Sequence, residues 1–176
     1  GGYTVELDGT HNALHIFIDA PVNYAVSKEN CSYYYGPGVH SPGLITLNSG
    51  ETVYIDEGAV VFGSIAAKDA SNIKILGRGI LDNSHNREEI LFSASGDGST
   101  DTQNSRRSNT IELRSCKNIF VEGITVRNSL LYNFAVHDCE DGVIENVKTI
   151  GCWRYNSDGI DLHNCERFRV SDCFLR

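Results

Sequence analysis

No run of about 18 uncharged apolar residues occurs in the chain, so the sequence holds no helical membrane span. No basic segment followed by an apolar core opens it either. A leader removed during processing would leave no trace, so this second absence does not fix a location. A surplus of positive charge is also missing: 15 Lys and Arg stand against 23 Asp and Glu, a formal net charge of −8. Nucleic acid requires a basic face, so it is not an expected partner. The same charge gives no global steering towards an acidic polysaccharide, a task left to any local basic patch. The six cysteines, Cys31, Cys116, Cys139, Cys152, Cys165 and Cys173, include no C-x-x-C pair. The strong zinc and redox signatures are therefore absent. At 176 residues the chain can bury a sizeable core without a disulfide scaffold, and the redox compartment stays open. An amphipathic helix is lacking too, because no long window carries apolar residues at a 3.6-residue period.

What the chain does contain is short β-branched runs punctuated by Gly, Asn, Asp and Ser. Thr52-Val53-Tyr54-Ile55, Asn72-Ile73-Lys74-Ile75 and Asn118-Ile119-Phe120-Val121 are examples of this strand-and-turn signature. The runs repeat. Val121, Ile144 and Val170 follow one another at intervals of 23 and 26 residues, and Cys116, Cys139 and Cys165 keep the same two intervals. Further back, the 46 residues from Ile75 to Val121 read as two intervals of 23, and Ile55 to Ile75 as one of 20. Periods of this size predict a solenoid. The L-x-x-L-x-L frame of a leucine-rich repeat is absent, so the expected fold is all-β, a parallel β-helix whose equivalent residues stack in columns. Stacking gives the cysteine repeat a plain explanation as three soft side chains at one interior or turn position.

A second strand repeats with more chemistry in it: Ile111-Glu112-Leu113-Arg114, Phe134-Ala135-Val136-His137 and Ile160-Asp161-Leu162-His163. Alternation sends Ile111, Leu113, Phe134, Val136, Ile160 and Leu162 to the core. It lines an outer wall with Glu112, Ala135 and Asp161 in one column and Arg114, His137 and His163 in the next. A solvated charged face would look the same, so this pattern alone leaves a binding role open. Asn156-Ser157-Asp158-Gly159 precedes the last copy at the edge of the wall, and these residue types serve equally well in an ordinary turn.

The expected organisation is a hairpin and linker over residues 1–30, followed by coils over residues 31–176. The hairpin pairs Tyr3-Thr4-Val5-Glu6-Leu7 with Leu14-His15-Ile16-Phe17-Ile18 around a tight turn at Asp8-Gly9. It is either the cap of the solenoid or the tail of a preceding β-sandwich. Residues 93–108, rich in Gly, Ser, Asp and Thr, read as a loop inserted between coils. The last residue follows a strand directly, and a bare coil exposes core and strand edges, so a continuing native protein is the expectation.

Residues 107–129, which carry Ile111-Glu112-Leu113-Arg114-Ser115-Cys116 and Asn118-Ile119-Phe120-Val121-Glu122-Gly123, resemble the coil that leads into the active site of glycoside hydrolase family 28, the polygalacturonase family. Asn156-Ser157-Asp158-Gly159-Ile160-Asp161 resembles that family's Asn-Thr-Asp-Gly motif, with Ser157 in place of Thr. Tyr35-Gly36-Pro37-Gly38-Val39-His40 and Gly50-Glu51-Thr52-Val53-Tyr54-Ile55 are similar to the first coil of bacterial members. The likeness covers roughly residues 33–176. It implies a right-handed parallel β-helix and a secreted or periplasmic enzyme that cleaves a pectin-like polysaccharide with inversion, using carboxylates far enough apart to admit a water. It implies catalytic roles for Asp158, as the water-activating base, and for Asp161. It further implies substrate contacts from Asn156, His137, His163 and Arg114, and no cofactor or metal. The family's Asp-Asp pair, which holds its general acid, its Gly-His-Gly motif and its Arg-x-Lys motif have no match in these residues. The resemblance therefore implies that the 176 residues alone do not hydrolyse glycosides, and it leaves the exact glycan open. Two other readings remain at this stage: a polysaccharide lyase or uronate epimerase on the same fold, which would need a calcium-binding carboxylate cluster or a basic residue at the wall, and a non-catalytic glycan-binding or adhesin β-helix.

Overall fold

A computed structural model describes residues 1–9, 12–85, 109–152 and 156–176. The inserted loop expected at residues 93–108 lies outside these described residues. After a hairpin, β1 (Gly2–Glu6) and β2 (Ala13–Phe17), the strands in chain order are β3 (Tyr33–Tyr35), β4 (Gly38–Leu47), β5 (Thr52–Ile55), β6 (Ala59–Lys68), β7 (Ser71–Gly77), β8 (Ile80–Asp82), β9 (Ile111–Arg114), β10 (Lys117–Glu122), β11 (Thr125–Arg127), β12 (Phe134–His137), β13 (Glu140–Glu145), β14 (Lys148–Ile150), β15 (Ile160–His163), β16 (Glu166–Ser171) and β17 (Phe174–Leu175). From β3 onward every pairing is parallel. The fold is a right-handed parallel β-helix.

Each coil contributes to a six-stranded sheet in the order β16-β13-β10-β7-β5-β3 and to a nine-stranded sheet that bends around the other two sides of the solenoid. The long strands β4 and β6 run through both of those sides. The first part of β6 pairs with β8, which is followed by β11, β14 and β17. Its second part pairs with β9, which is followed by β12 and β15. Wherever a coil breaks into two such strands, a third corner opens between them.

The other two corners are tight, and their residue types explain why. Asp69, Ser115, Asp138 and Asn164 follow the strands β6, β9, β12 and β15, and all sit at φ between 52° and 54°. Gly77, Gly123, Asn146 and Asp172 form the equivalent column after the six-stranded sheet, again at positive φ. Left-handed backbone excludes β-branched residues and favours Gly, Asn and Asp, so the punctuation in the sequence is a column of sharp bends. Gly77 has no substitute: at its φ of 131° an added Cβ would lie 1.9 Å from the Ile55 carbonyl oxygen of the coil below.

The core runs as columns along the axis. Val53, Ile75, Val121 and Ile144 stack in register and are fully buried, and Val170 continues the column at the last coil. This register corrects two intervals. Ile75 lies beside Val53, not Ile55, and β7 pairs directly with β10. The 46 residues from Ile75 to Val121 are thus one coil carrying the long β8–β9 connection, not two coils. Cys116 and Cys139 are fully buried in an interior column that Cys165 extends, and the Cys116 backbone N–H donates to Cys139 Sγ at 3.3 Å. All six cysteines are free thiols.

The N-terminal hairpin pairs Gly2 with Phe17 through Glu6 with Ala13, so its connection spans residues 7–12 and is longer than the expected tight turn. It packs on the flank of the last coil. His15 and Phe17 each sit 5.1 Å from the Phe174 ring, Asp19 pairs with the buried Lys148, and Glu6 pairs with Arg176.

Ile144 is fully buried in its column, between Val121 and Val170. Ile144→Ala is expected to lower the unfolding free energy by about 2–5 kcal/mol, read from urea denaturation at unchanged slope.

Candidate active site

The third corner lies between β8 and β9, between β11 and β12 (residues 128–133), and between β14 and β15, where residues 151, 152 and 156–159 are described. Asp158 lies in the last of these. Asn156 adopts φ 59°, a conformation that Asn tolerates, and remains half-buried. Ser157 turns inward and is 3% exposed, whereas Asp158 turns outward and is exposed. Its carboxylate therefore faces solvent at the rim of the wall formed by β9, β12 and β15.

The backbone ladder of that wall continues into the turn. The Ile111 and Thr110 N–H groups donate to the Asn133 and Tyr132 carbonyls, and the Phe134 and Asn133 N–H groups donate to the Gly159 and Asp158 carbonyls at 3.1 and 2.9 Å. Register thus places Asn109, Tyr132 and Asp158 in one column on three successive coils. The Asn133 side chain adds to the grip: its Nδ2 donates to the Ser157 and Asp158 carbonyls, each at 3.2 Å.

On the wall, the two expected columns form. Glu112, Ala135 and Asp161 lie side by side, as do Arg114, His137 and His163. Ala135 departs from the expectation of an exposed wall position, since it is fully buried between its larger neighbours. Asp161 pairs with His163, Oδ2 to Nε2 at 3.0 Å, and the His163 and His137 rings stack at 4.6 Å and an angle of 5°. Arg114 Nε binds Glu112 Oε1 at 2.5 Å. Glu112 also accepts from Asn109 Nδ2 at 3.0 Å, and Asn109 Oδ1 in turn accepts the Tyr132 N–H. Arg114 is shared with Glu112 and His163 with Asp161, so the wall is mixed in charge and does not form the local basic patch that the acidic composition left as a possibility. Asp158, Asn156, Asp161, His163, His137 and Arg114 all lie along one wall and its rim. Glu112, which the strand repeat placed on the wall, belongs to the same network, as do Asn109, Tyr132 and Asn133, which that repeat did not single out. Extending the register two residues upstream of each wall strand would have found the column of Asn109, Tyr132 and Asp158.

Among the described residues, no group of three or more His, Cys, Asp or Glu side chains is arranged to hold a metal ion. Burial, followed by the nearby Arg114 and His163, holds the His137 imidazole below its ordinary value of 6.5. A folded-state value below the unfolded one means that His137 favours the folded state above about pH 6.5 and that this contribution is lost as pH falls through the folded value. Ring-detected NMR should show His137 titrating below 6.5, and Arg114→Gln should move the midpoint upward. A midpoint at or above 6.5 in the parent protein would contradict the described packing of these rings.

The chain matches the family model "Glycosyl hydrolases family 28" over residues 24–176. No curated protein matches it significantly. Among solved structures it is similar to the family 28 exopolygalacturonase of Yersinia enterocolitica, with a TM-score of 0.68 and 19% identity over 82% of this chain and 38% of that one. It is also similar to a hyperthermoactive exopolygalacturonase from Thermotoga maritima, with a TM-score of 0.65 and 17% identity over 84% of this chain and 45% of that one. A structure from Parabacteroides merdae aligns with a TM-score of 0.67 and 22% identity, over 81% of this chain and 71% of that one. The chain thus spans less than half the length of the two exopolygalacturonases. At these identities the structural likeness bears on the fold, and the family rests on the sequence model: the chain belongs to glycosyl hydrolase family 28.

Proposed function

We propose that this protein takes part in the hydrolysis of a galacturonan-like polysaccharide by an inverting acid–base mechanism, with Asp158 on the water-activating side. The observation that carries this reading is the outward carboxylate of Asp158, held at the rim of a wall in a chain of family 28. A general base needs access to the attacking water and a fixed position beside the sugar, and the turn at residues 156–159 offers both. Inversion requires water between the anomeric carbon and the base, so the general acid stands well apart on the other side of the bond. None of the described residues is assigned that acid role. Asp161, tied to His163, orients the water or a sugar hydroxyl. Asn156, His137, His163 and Arg114 line the adjoining subsites, where imidazole and guanidinium donors suit the carboxylates of an acidic sugar chain. Such a substrate lies outside the cell, so the protein acts secreted or in the periplasm.

Asp158→Asn keeps the turn geometry and removes the base. In the protein as its gene encodes it, turnover of polygalacturonate should fall by about 10²–10⁴-fold while the melting temperature stays within about 1–2 °C. NMR of the first product should show the anomeric configuration inverted. Retained turnover together with a lower melting temperature would reduce Asp158 to a turn residue. An unsaturated product would indicate a lyase instead, and binding without turnover would indicate a glycan-binding coil.

A further inference from the structure

We propose that Asn133 is the positioning residue that holds Asp158 in its working orientation. The inference rests on the reading of Asp158 as the water-activating carboxylate. Asn133 lies on the coil below, at the end of residues 128–133, and is fully buried. Three of its contacts converge on the catalytic turn. Its backbone N–H donates to the Asp158 carbonyl at 2.9 Å, and its side-chain Nδ2 donates to the carbonyls of both Ser157 and Asp158 at 3.2 Å. The same Nδ2 lies 3.5 Å from Cys152 Sγ, at the other end of the 151–159 segment. One amide therefore touches the segment near both of its ends.

The orientation of this amide is dictated by its neighbours. Turned over, Oδ1 would face two carbonyl oxygens with no hydrogen between them. As it stands, Oδ1 is buried and has no hydrogen-bond partner among the described residues. Burying an unpaired carbonyl costs free energy, and a buried polar atom left so calls for an explanation other than stability. A leucine of similar shape would fill the space without that cost but would leave the two turn carbonyls without this donor. The residue that is present gives up one satisfied group of its own to fix two on the turn. Because Ser157 faces inward and Asp158 outward, fixing both of their carbonyls sets the peptide planes on either side of the Asp158 Cα, and with them the direction of its Cα–Cβ bond. A general base displaced by about 1 Å loses much of its effect, so the clamp acts on the chemical step, not on sugar affinity.

The test is a double-mutant cycle in the protein as its gene encodes it, with polygalacturonate as the substrate and rates normalised to folded protein. Asn133→Ala should lower kcat by about 30-fold or more and leave KM within about threefold. In the Asp158→Asn background the same substitution should cost no further turnover, because the group that it positions is already gone. If Asn133→Ala does not fold, Asn133→Ser takes its place, since its hydroxyl is too short to span both carbonyls, and the same non-additivity is required of it. A kcat within threefold of the parent, or a loss that multiplies with that of Asp158→Asn, would overturn the clamp while leaving Asp158 as the base. A fully active Asp158→Asn variant would instead overturn the reading of Asp158 itself.

Discussion

The backbone hydrogen bonds of the parallel strands point along the axis of the solenoid, from each coil to the next, so the strands of one coil cannot satisfy one another. This single constraint orders the rest. A residue can sit only above and below its equivalents, and every property therefore becomes a property of a column. The interior columns are apolar because each coil must cover the core of its neighbour. Two of the three corners are columns of Gly, Asn, Asp and Ser because the chain has to reverse within a residue or two at left-handed φ. Neither corner can grow without breaking the ladder on both sides of it.

The third corner escapes this rule. In β4 and β6 it is reduced to a bend within continuous strands, where β4 shifts register between His40 and Gly43 and Gly63 has no room for a side chain against the Gly43 carbonyl. In later coils it opens into connections of unequal length. Sequence can vary there without disturbing either sheet, and the backbone ladder of the β9–β12–β15 wall still anchors each connection where it re-enters. Asp158 lies within two residues of that anchor. The arrangement joins a connection free to carry chemistry to a scaffold rigid enough to aim it. The wall below then supplies donors and carboxylates at a spacing set by the distance between strands, about 4.8 Å.

Much of this was legible from spacing alone. The columns of Val121, Ile144 and Val170, of Cys116, Cys139 and Cys165, and of the three wall strands all pair as their intervals require. The errors have physical causes. Ile55 and Val53 point to the same face, so a slip of two residues leaves the apolar pattern intact and pattern matching cannot reject it. The 46-residue interval happens to equal two coils, and only the direct pairing of β7 with β10 reveals an insertion. The burial of Ala135 was hidden because period-2 alternation assigns a side but not how far neighbouring side chains reach over a small one. The docking of the hairpin on Phe174 and Lys148 joins residues more than a hundred positions apart, with no repeat to announce it. Asn133 escaped notice for a related reason: an asparagine before a strand reads as a turn former, and only the coil above shows that its amide is a clamp.

On the proposed function, the stacked coils bring the carboxylate of Asp158 to the face that receives the sugar chain. A crystal structure of the protein with an oligogalacturonide bound tests this most directly. The expected result is a sugar ring over the β9–β12–β15 wall, with the Asp158 carboxylate within reach of a water beside the anomeric carbon and with Asp161 and His163 at the neighbouring ring. A saccharide seated on another face of the solenoid, with Asp158 left in open solvent, would contradict it.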